Sequence, residues 1–289
     1  MTTPSPTSLY DAYYFQHGCG LPYAPSEHWL RFFGHIADRI VHGIGPRAVL
    51  DAGCALGFLV GALRQRGVAA EGIDISEYAI AHAPEAARPY CRVGSVLDPL
   101  PQRYDLIVCI EVLEHMPPAE SVQAVANLCR STDDIIFSSS PIDFREATHF
   151  NVQPPEYWVG LFAEQGFVRD VEFDASVILP WSMRLRRTAE PLHRVVAAYE
   201  RKLWRLSQEN GELRAVSVEV RAQLAAYEQL QADHSTALRE LEALRAIKAT
   251  LAWKLAEALG PWRKRLLPDG SWRERWARRW VEGQGDKQP

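Results

Sequence analysis

Between Pro46 and Met183 the sequence alternates short, continuously apolar runs with stretches of helical spacing, and this alternation limits the possible folds more than any other feature. "AVLDAG" (Ala48–Gly53), "AAEGIDIS" (Ala69–Ser76), "YCRVGSV" (Tyr90–Val96), the start of "YDLIVCIEVLEHM" (Tyr104–Met116) and "DIIFSSS" (Asp134–Ser140) read as strands. "FLVGALRQRG" (Phe58–Gly67) and "PPEYWVGLFAEQG" (Pro154–Gly166) read as helices that stop on a glycine. A short helix runs through Ile80 and His82, and "PAESVQAVANLCR" (Pro118–Arg130) is a helix with proline near its start. "FVRDVEFDASVILPW" (Phe167–Trp181) reads as one or two final strands. Strands alternating with helices give βαβ units, hence an α/β fold with a mostly parallel sheet and helices on both faces. Continuous rather than alternating apolar strands fit burial on both faces.

In such sheets ligands bind beyond the carboxyl ends of the strands. That puts Asp51–Gly57, Asp74–Ser76, Gly94–Val96 and Glu111–His115 along one rim. Gly53 and Gly57 let the backbone turn sharply and approach a ligand, and the helix starting near Gly57 points free N–H groups at it. Asp74 ends the second strand, about 20 residues past the glycine loop, where a carboxylate grips ribose hydroxyls. A dinucleotide loop wants G-x-G-x-x-G to seat a pyrophosphate. Here the run is "GCALG", with Asp51 just ahead of it. Asp51 repels a phosphate but suits S-adenosylmethionine, which carries an ammonium and a sulfonium.

Together "VLDAGCALG", "GIDIS" and "YDLIVCIEVLEHM" resemble the class I S-adenosylmethionine-dependent methyltransferases, in particular the group with an E-V-L-E-H fourth motif. The resemblance covers Tyr10 to Met183 in order and spacing. It implies a Rossmann-like, seven-stranded sheet with a reversed hairpin at its end. It also implies that Asp51, Gly53, Cys54 and Gly57 line the methionine part of the cofactor and that Asp74 holds the ribose. Ile75 would pack on the adenine, Ser95 and Val96 would meet its edge, and Glu111 and Val112 would close over the cofactor through their backbone. Many relatives carry Asp where this chain has Ser95.

Methyl transfer is an in-line displacement that needs an aligned nucleophile and a base for a hydroxyl acceptor. The long polar segment "SSSPIDFREATHFNVQPPEYW" (Ser138–Trp158) follows the fifth strand and carries Asp143, Glu146 and His149. His149 is the candidate base, since the ordinary pKa of histidine lies near working pH, and His115 is a second candidate. The pattern H-F-x-x-x-x-P-x-x-W resembles methyltransferases of bacterial polysaccharide and glycan assembly clusters. The segment Leu9–Phe33 is rich in Tyr, Gly and His and suits a lid or a sugar-stacking surface, with Tyr13, Tyr14, Tyr23 and Trp29 as contacts. The substrate-contact set is Tyr14, Tyr23 and His149. His17 and Cys19 lack further ligands nearby, so no metal is expected.

Five cysteines form no CxxC pair and read as free thiols of a reducing, cytoplasmic setting. The first residues have no basic and apolar leader pattern, and no run of about 18 apolar residues spans a membrane. A net charge of -4 argues against a nucleic acid partner. The domains expected are 1–190, a long helix over 191–260 and a basic, Trp-rich tail over 261–289. No proline lies between Pro191 and Pro261. Leu203, Leu206, Asn210, Leu213, Ser217, Val220, Leu224, Tyr227, Gln231, His234, Leu238 and Leu241 keep an unbroken 3-4 register. Such a narrow seam reads as a coiled coil and a homo-oligomer. Trp253, Trp262, Trp272, Trp276 and Trp280 among arginines suit an anionic membrane surface or a glycosyltransferase-type partner. The expected activity is O-methylation of a sugar hydroxyl, on a nucleotide sugar or glycan acceptor. The alternatives are a small aromatic or quinone-like acceptor, and a scaffold that binds S-adenosylmethionine but works through its coiled coil.

Overall fold

The computed structural model describes residues 9–285. Its first unit is built on a seven-stranded sheet: β1 (Ala48–Ala52), β2 (Ala69–Asp74), β3 (Cys91–Val93), β4 (Leu106–Ile110), β5 (Asp134–Ser138), β6 (Phe167–Arg169) and β7 (Met183–Arg187). The strand order is β3-β2-β1-β4-β5-β7-β6. The first five strands are parallel, and β7 runs antiparallel to both β5 and β6. Strand order reverses between β1 and β4, which opens a crevice at their carboxyl ends.

The helices of this unit are α1 (Ala12–His17), α2 (Glu27–Gly43), α3 (Phe58–Gln65), α4 (Glu77–Ala81), α5 (Pro118–Ser131) and α6 (Pro155–Glu164). One face of the sheet buries Leu50, Ile107 and Phe137 against Leu128, Trp158 and Phe162. The other buries Val49, Leu106 and Ile136 with Ile36, Ile40 and Leu63. This two-sided cover explains why β1, β4 and β5 are apolar without alternation. Each fully buried large side chain contributes about 1.5–3 kcal/mol. An ion pair between Arg66 and Asp38 (2.8 Å) ties α3 to α2.

The strand at Tyr90–Val96 is shorter than its sequence implies: Tyr90 closes a 3₁₀ turn and only Cys91–Val93 pair with β2. The last strands also differ from expectation. Only Phe167–Arg169 of the segment 167–181 is a strand, and the apolar run Val177–Leu179 lies in turns ahead of Pro180. Ile178 is buried there as a loop residue. The true partner strand, β7, reads "MRLRR". Met183 and Leu185 fill the core, while Arg184 pairs with Asp134 and with Asp170 (3.2 Å).

From Leu192 a single helix, α7, runs to Ala249 with no buried residue. It stops where Thr250 caps α8 (Leu251–Ala258), accepting from the Trp253 N–H at 3.2 Å. α9 (Gly260–Leu266) and α10 (Trp272–Gly285) follow. Contacts divide the chain at residue 205, so the first turns of α7 belong with the sheet: Tyr199 Oη accepts from Arg169 N–H, and Arg205 pairs with Glu172 (2.9 Å). Among the described residues no helix is long and apolar enough to cross a membrane.

Candidate active site

The chain crosses from β1 to α3 through Gly53–Gly57. Gly53 has φ +85°, and a Cβ there would stand 2.3 Å from Val112 Cγ2, so only glycine lets this loop meet the β4 loop. Gly57, at φ +71°, opens α3 with Cys91 Sγ 2.7 Å from where its Cβ would be. The N–H groups of Gly53 and Cys54 both donate to Ile73 C=O, at 2.8 and 2.9 Å, which seats the loop on β2. Cys54 is buried, and its hydrogen bond with Cys91, then burial, push its thiol well above the usual range. Its Sγ packs over Gly72.

Asp74, ending β2, accepts from the N–H groups of Ala55 and Ser76, both at 2.8 Å. Burial raises its pKa, and those two donors partly offset the rise. Asp51 is buried at the end of β1, and no hydrogen-bond donor among the described residues reaches its carboxylate. Burial, then the charge of Asp74, push its pKa up to about 8. A buried acid with no donor beside a glycine loop calls for a cationic group, and the ammonium of S-adenosylmethionine fits that demand. Ile75 is half-buried beside Asp74. Ser95 Oγ is taken up by Leu97 N–H, and Val96 is buried with its C=O accepting from Asn127.

Across the crevice, Glu111 ends β4 in the left-handed region at φ +54°, a strained setting for a non-glycine residue. Ser138 Oγ (2.8 Å) and Trp181 Nε1 (3.0 Å) donate to its Oε1. Leu113–His115 form a 3₁₀ turn. Glu114 is fully buried; its Oε1 accepts from Ser140 N–H at 3.2 Å, its C=O accepts from Phe150 and Asn151, and Oε2 makes no hydrogen bond among the described residues. Burial, reinforced by Glu111, lifts the Glu114 pKa well above the carboxylate range. His115 and His149 meet with ring centroids 4.5 Å apart. Burial, then its neighbour His149, bring the pKa of His115 down to about 4.

The N-terminal segment joins the two banks. Tyr10 C=O accepts from Ser76 Oγ at 2.6 Å, while the Tyr10 ring packs edge-on to His115 (5.7 Å) and Tyr14 (5.0 Å). Burial and the charges of Asp74, Glu114 and Glu146 push the Tyr10 hydroxyl up to about 12. Tyr14 is half-buried, with its ring 6.4 Å from His115. Tyr23 instead sits among Trp29 (4.8 Å), Phe58 (5.2 Å) and Phe15 (6.0 Å), and burial raises its hydroxyl far above the usual range. Its ring is part of an aromatic cluster, and Trp29 is held there by its Nε1 donating to Pro22 C=O. Tyr13 is exposed on α1.

The structure thus brings Asp51, Gly53, Cys54, Gly57, Asp74, Glu111, Val112, Tyr14, His115 and His149 to one crevice. Sequence reasoning missed Tyr10 and Trp181. The first lay in a recognisably aromatic segment, while the second was hidden in an apparent strand.

Residues 27–170 match a protein family described as a methyltransferase domain. The ubiquinone biosynthesis O-methyltransferase of Nitrosomonas europaea is 32% identical over 111 residues, covering 35% of this chain and 47% of the relative. That of Alkalilimnicola ehrlichii is 32% identical over 146 residues, covering 46% and 59%. This chain spans about half the length of the curated relatives it matches. Among solved structures, magnesium protoporphyrin IX methyltransferase from Synechocystis PCC 6803 with bound S-adenosylmethionine aligns at TM-score 0.48, with 20% identity over 65% of this chain and 100% of that one.

Proposed function

We propose that the chain, whose residues 27–170 match a methyltransferase domain, is a class I S-adenosylmethionine-dependent methyltransferase that O-methylates a small, hydroxylated, ring-bearing acceptor with an apolar body. The observation that carries this reading is Tyr10, which spans from the Asp74 loop to His115 and so sets the cofactor-type loop and the histidine pair on one crevice.

When bound, S-adenosylmethionine supplies a sulfonium methyl whose C–S bond breaks, leaving its electron pair on sulfur, as an oxygen attacks in line. Asp51 would meet the ammonium, and Asp74, with a free lone pair on each oxygen, would take the ribose hydroxyls. Gly53 and Gly57 keep the loop close. His149 donates Nδ1–H to Asp143 C=O at 2.8 Å, which leaves Nε2 as the ring nitrogen that can accept the acceptor's proton.

Two things favour a small acceptor over a sugar. The curated relatives named above carry ubiquinone biosynthesis in their names. The loop after β5 also spends its polar groups on itself: Asp143 accepts from Arg145 N–H and Glu146 from Thr148, while Ile142, Phe144 and Phe150 are exposed. Exposed Trp262, Trp272, Trp276 and Trp280 in the basic tail suit an anionic lipid surface, where apolar acceptors gather.

Labelled methyl transfer from S-adenosylmethionine should be run against a series of catechols and polyprenylated phenols beside nucleotide sugars. Label in the phenols supports the reading. Label in the sugars alone overturns the acceptor class, and binding of S-adenosylmethionine with no transfer to any fraction of a host extract moves the chain to a scaffold.

A further inference from the structure

Sequence spacing offered His17 and Cys19 as a metal-like pair and led to no metal site. Folding makes a different cluster. Glu114, His115 and His149 each present one ligand atom, and the three atoms lie within 4.8 Å of one another.

Each of the three is held in a ligand-ready state by its neighbours. His115 Nδ1 faces Thr148 C=O at 3.2 Å and Thr148 Oγ1 at 2.9 Å. His149 Nδ1 faces Asp143 C=O at 2.8 Å. A carbonyl oxygen only accepts, so the ring proton sits on Nδ1 in both, and both Nε2 atoms carry the lone pair. Orientation of a ligating imidazole through its other N–H is the usual support of a metal site. Glu114 Oε2 is fully buried and makes no hydrogen bond; Ser139 lies near enough to ease its charge but its Oγ is also unpartnered. An orphaned carboxylate oxygen in the interior is costly, and a cation removes that cost. The backbone is fixed too, since Glu114 C=O holds Phe150 and Asn151 N–H at 2.8 and 2.9 Å, clamping the His149 loop to the 3₁₀ turn.

We propose that Glu114 Oε2 and the Nε2 atoms of His115 and His149 bind a divalent transition-metal cation that receives the acceptor's hydroxyl oxygen. Two imidazoles and a carboxylate leave coordination positions open on one side of such an ion. That side is the crevice, because His115 packs edge-on against Tyr10 and Tyr14. A coordinated hydroxyl loses its proton far more readily than a free one, which leaves the oxygen ready to attack the methyl carbon. The acceptor then needs a hydroxyl beside a second donor, as in a catechol. His149 Nε2 becomes a ligand, so the proton leaves to solvent rather than to that ring. This rests on the methyl-transfer reading of the crevice.

The full chain, stripped with chelator, should be titrated with Co2+ and then with Mn2+, following the cobalt d–d absorption and the loss of free-manganese EPR signal. One equivalent is expected to bind, and Zn2+ should displace it. His149→Ala and Glu114→Gln should each weaken binding by roughly tenfold or more. Glu114→Gln keeps the acceptor for Ser140, and unchanged thermal unfolding separates lost ligation from lost fold. S-adenosylmethionine binding, measured on the same samples by calorimetry, should persist in all of them. Failure of the wild-type chain to bind either ion, or binding untouched by both variants, overturns the metal site. Loss of S-adenosylmethionine binding in the wild type instead overturns the methyltransferase reading.

Discussion

Asp51 and Asp74 end adjacent parallel strands as two acids with opposite surroundings: half-buried Asp74 is held by two backbone N–H groups, and buried Asp51 by no hydrogen bond among the described residues. Their mutual charge adds to burial in pushing Asp51 up to about 8. Unfolded, Asp51 releases its proton near pH 4; folded, it keeps it to about pH 8. The folded state therefore binds the extra proton across that window, and Asp51's contribution lowers stability as pH rises from about 4 to about 8.

A cation beside Asp51 reverses this. S-adenosylmethionine binding should release a proton and tighten as pH rises from about 5 to about 7, below the range where its own α-amino group titrates. Calorimetry in two buffers of different ionisation enthalpy measures the release directly. Asp51→Asn should bind more weakly and lose the slope. A wild-type affinity that ignores pH, or a slope that survives in Asp51→Asn, would show that the ammonium does not sit there.

Gly53→Ala should destabilise the chain by about 1–3 kcal/mol, because it combines φ +85° with a Cβ 2.3 Å from Val112 Cγ2. Adding Val112→Ala removes the clash but not the backbone strain. Urea unfolding of both single variants and the double should give a favourable coupling between the two sites. Strict additivity would mean that the two loops separate freely.

β1, β4 and β5 were legible because strands covered on both faces are apolar throughout, and the glycine loop because it breaks such a run with a buried acid. β7 was not, since "MRLRR" carries three arginines; only the fold shows Asp134 and Asp170 waiting for Arg184. Conversely, Val177–Leu179 looked like a strand but precedes Pro180, which cannot donate to a ladder. The glycine loop could be read locally. The Glu114–His115–His149 cluster could not, because its members come from two segments brought together by backbone bonds between residues 114 and 150–151.

The two banks of the crevice should separate by mutation. Asp74→Ala removes the acceptor of the Ala55 and Ser76 N–H groups together with the carboxylate proposed to take the ribose hydroxyls. It should weaken S-adenosylmethionine binding and cost about 1–3 kcal/mol of stability. His149→Ala should leave that binding unchanged and slow transfer by roughly 10²-fold or more. Equal transfer rates in His149→Ala and wild type would remove the histidine from the chemistry.

Helix α7 gives the last test. Residues 203–259 are all exposed, among them Leu206, Leu213, Val220, Leu224, Tyr227, Leu238 and Leu241 of the 3-4 seam. Helices in water draw most of their stability from packing an apolar face, and this seam is too narrow for a globular core. Pairing with the same helix of a second copy would bury it, at about 1.5–3 kcal/mol per seam leucine fully covered. Leu213→Asp with Leu224→Asp places charges on the seam, far in sequence from the crevice residues. Sedimentation of the full chain should show an oligomer for wild type and a monomer for the double variant, with S-adenosylmethionine binding equal in both. A monomeric wild type, or an oligomer that survives both aspartates, would refute pairing through this seam.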